Sequence, residues 1–230
     1  MFGAAIVRTI LFSLLLGLGG VQAGEHVIMT GGPSLGRWEH LRVPQDRHDR
    51  WWANFVRAST LRMVEIRRAY GENAKLVWMV YRPGYQSRGR EDGKPYVSWI
   101  SDLARNRNAT LVWIENNNDI YRAMNSRPRH SVTTFDYFGH SNRYCFMLDY
   151  GNVIMAACTT WLHENDLGKI NGSIFDRNAY CKSWGCHTAE SMSQAWRRKL
   201  GVPLEGAVGK TDYVTVGHGQ MPAIVGRWAR

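Results

Sequence analysis

Between residues 74 and 140 the chain alternates continuous apolar blocks with amphipathic ones. Residues 74–82, Ala-Lys-Leu-Val-Trp-Met-Val-Tyr-Arg, make a nearly unbroken apolar run of strand length, closed by Pro83-Gly84. Runs of this kind belong to strands covered on both faces. Residues 109–115 form another apolar strand, and residues 131–138 read as a third strand that leads into Gly139-His140. Residues 96–107 place Val97, Ile100, Leu103 and Ala104 on one helical face. Residues 120–126 predict a short helix with Asp119 as N-cap and Pro128 as stop. The polar, glycine-rich residues 86–94 predict a loop. Strand, helix, strand, helix, strand implies a parallel sheet with right-handed crossovers.

Upstream, residues 26–30 read as a short strand before the breaker Gly31-Gly32-Pro33. A Gly-rich turn there could cradle phosphate, but it lacks both the G-x-G-x-x-G and the P-loop pattern and reads as a plain turn. Residues 49–70 give the strongest helix, with Trp52, Phe55, Val56, Leu61, Val64 and Ile66 at helical spacing and Gly71 as C-terminal cap. Downstream, residues 143–148 and 153–158 predict a hairpin around Asp149-Tyr150-Gly151-Asn152. A short helix is expected over 165–175, a strand over 178–184, a helix over 187–200, and a strand or loop over 207–213. No repeat or linker interrupts residues 24–230, which reads as one domain with its core at about 74–213. The fold class is α/β, a three-layer α/β/α sandwich around a mostly parallel sheet.

Composition places limits on this picture. Hydrophobic residues make up 44% of the 230, with ten Trp and ten Tyr, enough to build a core and to exclude disorder. The first 23 residues carry Arg8 as their single charge, an apolar run over 10–18, and Val21-Gln22-Ala23. That pattern predicts a secretory signal cleaved before Gly24, the bland alternative being an uncleaved anchor. The run is shorter than the ~20 residues of a membrane span, so no transmembrane segment is expected after cleavage. The mature chain is then secreted or periplasmic. Losing Arg8 leaves 28 basic against 19 acidic residues, a net charge near +9. A basic surface favours anionic partners such as lipid or an envelope polymer. The basic residues are scattered in ones and twos, which argues against a nucleic-acid arm. Asn108-Ala-Thr and Asn171-Gly-Ser are glycosylation sequons, meaningful only in a eukaryotic secretory route.

Four cysteines in an exported chain allow three complete pairings. Cys145 and Cys158 lie on the two arms of the predicted hairpin, where a disulfide is geometrically open. Cys181 and Cys186, five residues apart, point to opposite faces of a strand, which makes Cys181 a core thiol.

Two strand ends then stand out. Residues 134–141, Thr-Phe-Asp-Tyr-Phe-Gly-His-Ser, run out at a glycine and present His140; residues 178–190 run out at Gly185 and present Cys186. Functional groups of parallel sheets gather outside the carboxyl ends of the strands. A cysteine nucleophile acts as the thiolate, which a neighbouring imidazole and a following helix N-terminus both favour. The amides of Gly139 and Cys186 are candidates to hold an oxyanion. This chemistry needs no metal and no cofactor. The bland readings are that His140 caps a strand and that Cys186 fills a tight turn. Cys181, Cys186, His187 and His140 could make a zinc site, but C-x4-C-H is not a common ligand spacing. A serine triad lacks the G-x-S-x-G elbow.

The ordered pair, in Phe135-Asp-Tyr-Phe-Gly-His140-Ser and Tyr180-Cys-Lys-Ser-Trp-Gly-Cys186-His-Thr, resembles the caspase-like cysteine peptidases, the group of caspases, metacaspases, legumain, gingipains and separase. In that group one apolar strand ends at a histidine and a later one at a small residue and the catalytic cysteine. The resemblance covers residues 74–213 and departs at His140-Ser141, where His-Gly is usual, and at polar Lys182 and Ser183. It implies a caspase-like sheet, a peptide or protein substrate, His140 as base and Cys186 as nucleophile. Arginine-specific members use acidic pocket residues, for which Asp149, Asp166 and Asp176 are candidates. The rival reading is a non-catalytic binding domain on the same fold that contacts an anionic envelope polymer or a protein.

Overall fold

A computed structural model of the chain describes residues 24–41, 43, 47, 50–150 and 158–230. The expected signal segment and residues 151–157 of the expected hairpin lie outside them. The strands, in chain order, are β1 (Glu25–Thr30), β2 (Lys75–Tyr81), β3 (Ala109–Ile114), β4 (Val132–Phe138), β5 (His140–Asn142), β6 (Cys145–Met147), β7 (Trp161–His163), β8 (Phe175–Ser183), β9 (Leu204–Asp212) and β10 (Ala223–Ala229). The helices are α1 (Gly36–Glu39), α2 (Asn54–Tyr70), α3 (Arg82–Asp92), α4 (Tyr96–Asn106), α5 (Asn117–Asn125) and α6 (Met192–Leu200).

Seven strands form one sheet in the order β10-β9-β8-β4-β1-β2-β3. All neighbours run parallel except β10, which returns antiparallel to β9. The protein is therefore α/β with a mostly parallel sheet between two helical layers. Alternation along the central strands explains the layers. Val27 and Met29 of β1 and Val77, Met79 and Tyr81 of β2 enter the core under α5 and α6. Ile28, Leu76, Trp78 and Val80 enter the opposite core, under α2, α3 and α4. A strand buried on both sides must be apolar at every position, which is why β2 was legible as an unbroken run.

The chain passes β1, β2 and β3 outward on one side, then crosses to β4 on the other. The strand order therefore reverses between β1 and β4, the place where open sheets leave a crevice beyond their carboxyl ends. There the backbones come close. Gly31 donates its N–H to Phe138 O at 2.8 Å, and a β-carbon on Gly32 would lie 3.0 Å from the Gly84 Cα.

Three expectations are corrected. Residues 86–94 are no loop: Arg82–Asp92 is helix α3, with Pro83 in its first turn. Proline is well placed there, because the first N–H groups of a helix have no intrahelical partner. The polar composition of α3 conceals a buried anchor. Arg88 lies 2.7 Å from Asp92 and donates to Ser34 O at 2.9 Å and Arg50 O at 3.1 Å. Asp119 is not the N-cap of α5. Asn116 is, and Asp119 closes a capping box by accepting the Asn116 N–H at 3.1 Å. The strand at 143–148 is present as β6, but it pairs with β5 on one side and with β7 on the other, in a small antiparallel sheet. Gly71 caps α2 as expected, in the left-handed region at φ 92°.

Candidate active site

The histidine arm begins where β4 ends. Gly139 has no room for a side chain: a β-carbon would lie 2.5 Å from the Tyr137 hydroxyl. That hydroxyl donates to His140 O at 2.6 Å and fixes the turn into β5. His140 pairs with Met147 across the small sheet. Its ring stacks on Tyr150 with centroids 4.1 Å apart, and Phe55 of α2 meets it edge-on at 5.1 Å. Phe55 also packs edge-on against Tyr213 at 4.9 Å, so one ring braces both β5 and the segment after β9.

The cysteine arm follows β8, the parallel neighbour of β4. Pairing continues past the last strand residue, since Trp184 donates its N–H to Tyr137 O at 2.8 Å. Gly185 then passes against β5 so closely that a β-carbon would lie 2.1 Å from Ser141 Oγ and 3.2 Å from Gly139 O. Ser141 Oγ donates to Cys186 O at 2.7 Å. The thiol itself turns toward β9. Its Sγ accepts the Thr211 N–H at 3.3 Å and lies 3.5 Å from Thr211 Oγ1. Cys186 and His140 are both half-buried, at the same end of neighbouring strands.

The expected helix N-terminus behind Cys186 is absent. His187 takes a left-handed conformation at φ 63°, a 3-10 turn spans Thr188–Glu190, and α6 begins only at Met192. The helical pattern read over 187–200 therefore supplies no dipole at the sulfur.

The candidate acids scatter. Asp149 is buried just before Tyr150, near the histidine arm, where it accepts from the Thr159 hydroxyl. Asp166 pairs with Lys169 at 2.8 Å in the 3-10 segment Glu164–Lys169. Asp176 lies at the start of β8, at the opposite end of the sheet from Cys186, and caps a turn by accepting the Asn178 N–H at 2.8 Å. The structure brings Asp149 toward the histidine and leaves Asp176 remote.

All four cysteines carry free thiols. Cys145 is paired in register with His163. Cys181 is buried in the core with Trp196, and burial pushes its thiol well up, as it does that of Cys145. The zinc arrangement does not form: among the described residues no three His, Cys, Asp or Glu side chains cluster as metal ligands.

One charged group supports the site from inside. Asp136 of β4 is fully buried, accepts from Arg62 Nε at 2.9 Å and from Trp184 Nε1 at 2.9 Å, and so ties α2, β4 and the residue before Gly185 together. Burial pushes its carboxyl up against the opposing pull of Arg62 and the indole. Sequence reading gave no place in the site to Thr211, Glu190, Tyr150 or Phe55. The first two lie 25 and 4 residues beyond Cys186, and only the folded register brings them to the site. Comparison with family models, with curated proteins and with solved structures finds no match to this chain.

Proposed function

We propose that the chain is a cysteine-dependent hydrolase acting on peptide bonds. The observation that carries this reading is the placement of His140 and Cys186 just beyond the ends of the adjacent parallel strands β4 and β8, with Ser141 Oγ donating to Cys186 O between the two arms. The resemblance to caspase-like peptidases supports it, as does the order of elements around both residues. In this reading the Cys186 sulfur attacks the scissile carbonyl carbon and the oxygen becomes an oxyanion held by the Gly139 and Cys186 amides. His140, having taken the thiol proton, returns it to the leaving amine as the C–N bond breaks. Water, deprotonated by His140, then cleaves the thioester and restores the thiol. The Thr211 amide, which donates to Sγ at 3.3 Å, holds the sulfur in place. The signal-like pattern of the first 23 residues supports an exported enzyme.

The test is the rate of iodoacetamide labelling at Cys186 against pH, in the parent and in His140→Ala, followed by a peptide-library screen with Cys186→Ala as control. Labelling that is fast below pH ~7 and lost in His140→Ala supports the pair. An ordinary thiol profile near pKa ~8.5 in both proteins would sink it. A second reading, a non-catalytic module holding an anionic polymer, draws on the open groove between α3 and α4. That groove is about 550 Å³ and is lined by Arg90, Lys94 and Tyr96, the last stacked on Trp52 at 3.9 Å. It predicts salt-sensitive polymer binding and an inert thiol.

A further inference from the structure

The carboxylate of Glu190 has three partners on three separate segments. Its Oε1 accepts from His187 Nδ1 at 2.6 Å and from the Gly209 N–H at 3.1 Å, and its Oε2 pairs with Arg143 at 3.1 Å. His187 directly follows Cys186. Gly209 belongs to β9, two residues before the Thr211 whose amide meets Sγ. Arg143 is in the two-residue turn between β5 and β6, three residues after His140.

Backbone contacts run between the same segments. His187 donates its N–H to Gly209 O at 2.7 Å, and Met192 donates to Arg143 O at 2.7 Å. Two residues of the cluster have left-handed backbones: His187 at φ 63° and Gly209 at φ 97°. A side chain is excluded at Gly209, where a β-carbon would lie 2.5 Å from Val225 O. A non-glycine residue in that region persists only when its surroundings hold it. For His187 the holding contacts are the Gly209 carbonyl and the Glu190 carboxylate. The hydrogen bond from His187, with the Gly209 amide and the Arg143 charge, keeps the Glu190 carboxyl below the usual carboxylate range.

We infer that Glu190 is a positioning residue of the site, a side chain that fixes the turn carrying Cys186, the β9 segment facing its sulfur, and the hairpin carrying His140 in a single register. This inference rests on the peptidase reading for its chemical consequence, though not for its geometry. Glu190 touches neither the thiol nor the His140 ring. Its effect is exerted through His187, Gly209 and Arg143.

The experiment compares parent, His140→Ala, Glu190→Ala, Glu190→Gln and the His140/Glu190 double alanine variant, each checked for folding by circular dichroism. Iodoacetamide labelling of Cys186 is recorded against pH, and amide exchange is read at His187 and Thr211. Misplacement of reacting groups by about 1 Å costs on the order of 100-fold. Glu190→Ala is expected to slow labelling at least ~10-fold, down to the His140→Ala level. The double variant should be no slower than either single, because both remove one coupled arrangement. Glu190→Gln, which still accepts from His187 and Gly209 but loses the charge toward Arg143, should recover part of the rate. Amide exchange at His187 and Thr211 should quicken in Glu190→Ala.

A Glu190→Ala protein with parental labelling and parental exchange overturns the inference while leaving the peptidase reading intact. If parent and His140→Ala label alike, the peptidase reading fails, and the exchange rates alone then decide the clamp: unchanged rates overturn it. Should Glu190→Ala not fold, Arg143→Gln cuts only the link to the histidine hairpin. It is expected to give an intermediate loss of labelling, and parental labelling there overturns the inference.

Discussion

Replacing Arg62 by Met is the sharpest test of how the sheet end is held. Asp136 has no exposed surface, and its neutralising partner is a single guanidinium whose side chain is 15% exposed. Methionine fills similar volume and retains helix propensity, so the substitution isolates the charge. Removing one member of a buried pair costs about 3–5 kcal/mol, because the other charge is left uncompensated. Against a typical stability of about 5–15 kcal/mol that is a large fraction, and for a domain of this size it lowers Tm by roughly 6–20 °C. The carboxyl can escape part of the cost by taking up a proton. Its folded pKa, already pushed up by burial, then lies further above the unfolded value. At this site the folded variant binds more protons than the unfolded chain, so the contribution of Asp136 to stability is greatest at low pH and declines as pH rises. The assay is urea unfolding of parent, Arg62→Met, Asp136→Asn and the double variant at pH 5 and pH 8. Asp136→Asn keeps an acceptor for the Trp184 indole and should rescue Arg62→Met by at least ~1 kcal/mol. If Arg62→Met lies within ~0.5 kcal/mol of the parent at pH 8, the pair is not what secures the strand end.

Gly185→Ala should lower Cys186 labelling sharply, because its β-carbon would lie 2.1 Å from Ser141 Oγ; adding Ser141→Gly is expected to restore part of the rate, and failure of that rescue would refute the steric argument. His26 is buried, and burial with the nearby Arg62 lowers its pKa to about 4. The unfolded chain binds this proton below pH ~6.5 and the folded one only near 4, so stability is complete above the higher value and falls between the two, by up to ~3 kcal/mol. His26→Gln should flatten that part of a pH–stability curve measured by denaturant unfolding. Native-state alkylation mapped by mass spectrometry should modify Cys186 first and Cys145 and Cys181 last, since burial pushes both core thiols up. Burial likewise holds Cys158 at about 11, which predicts slow labelling there below pH 9.

The parts of the fold legible in the sequence are those where one physical demand acts alone. β2 is buried on both faces past its first residue and had to be apolar there; α2 has one buried stripe and showed its period. Where demands compete, the pattern blurs. Helix α3 buries Tyr85 and Arg88 among exposed charges, so its stripe is not apolar. Strand β10, at the sheet edge with Val225 69% exposed, carries no alternation strong enough to read. Its anchor is Trp228, which meets Trp184 edge-on at 5.4 Å, with the Lys182 ammonium 3.9 Å from the Trp228 ring and 4.1 Å from the Trp184 ring, a contact between distant residues. The strand ends bearing His140 and Cys186 were visible because glycines mark them. The partners of those ends were not, since Thr211, Glu190 and Arg143 converge only through the register of β9 and the small sheet. Asp176 was misleading for a related reason: chain proximity to Cys186 says nothing about which end of a nine-residue strand a side chain occupies.

The position of β1 has a consequence for how this protein is made. Among the described residues it is the first strand in chain order, yet it lies between β2 and β4 and joins the two halves of the sheet. Its hydrogen bonds reach partners about a hundred residues downstream, as the His26–Thr134 pair shows with a separation of 108. Such contacts carry a high loop-closure cost and slow folding. During synthesis β1 therefore waits, unpaired on one edge, until β4 has emerged. Until then that edge of β1 stays open to wrong partners, so β4 must reach it before another strand does.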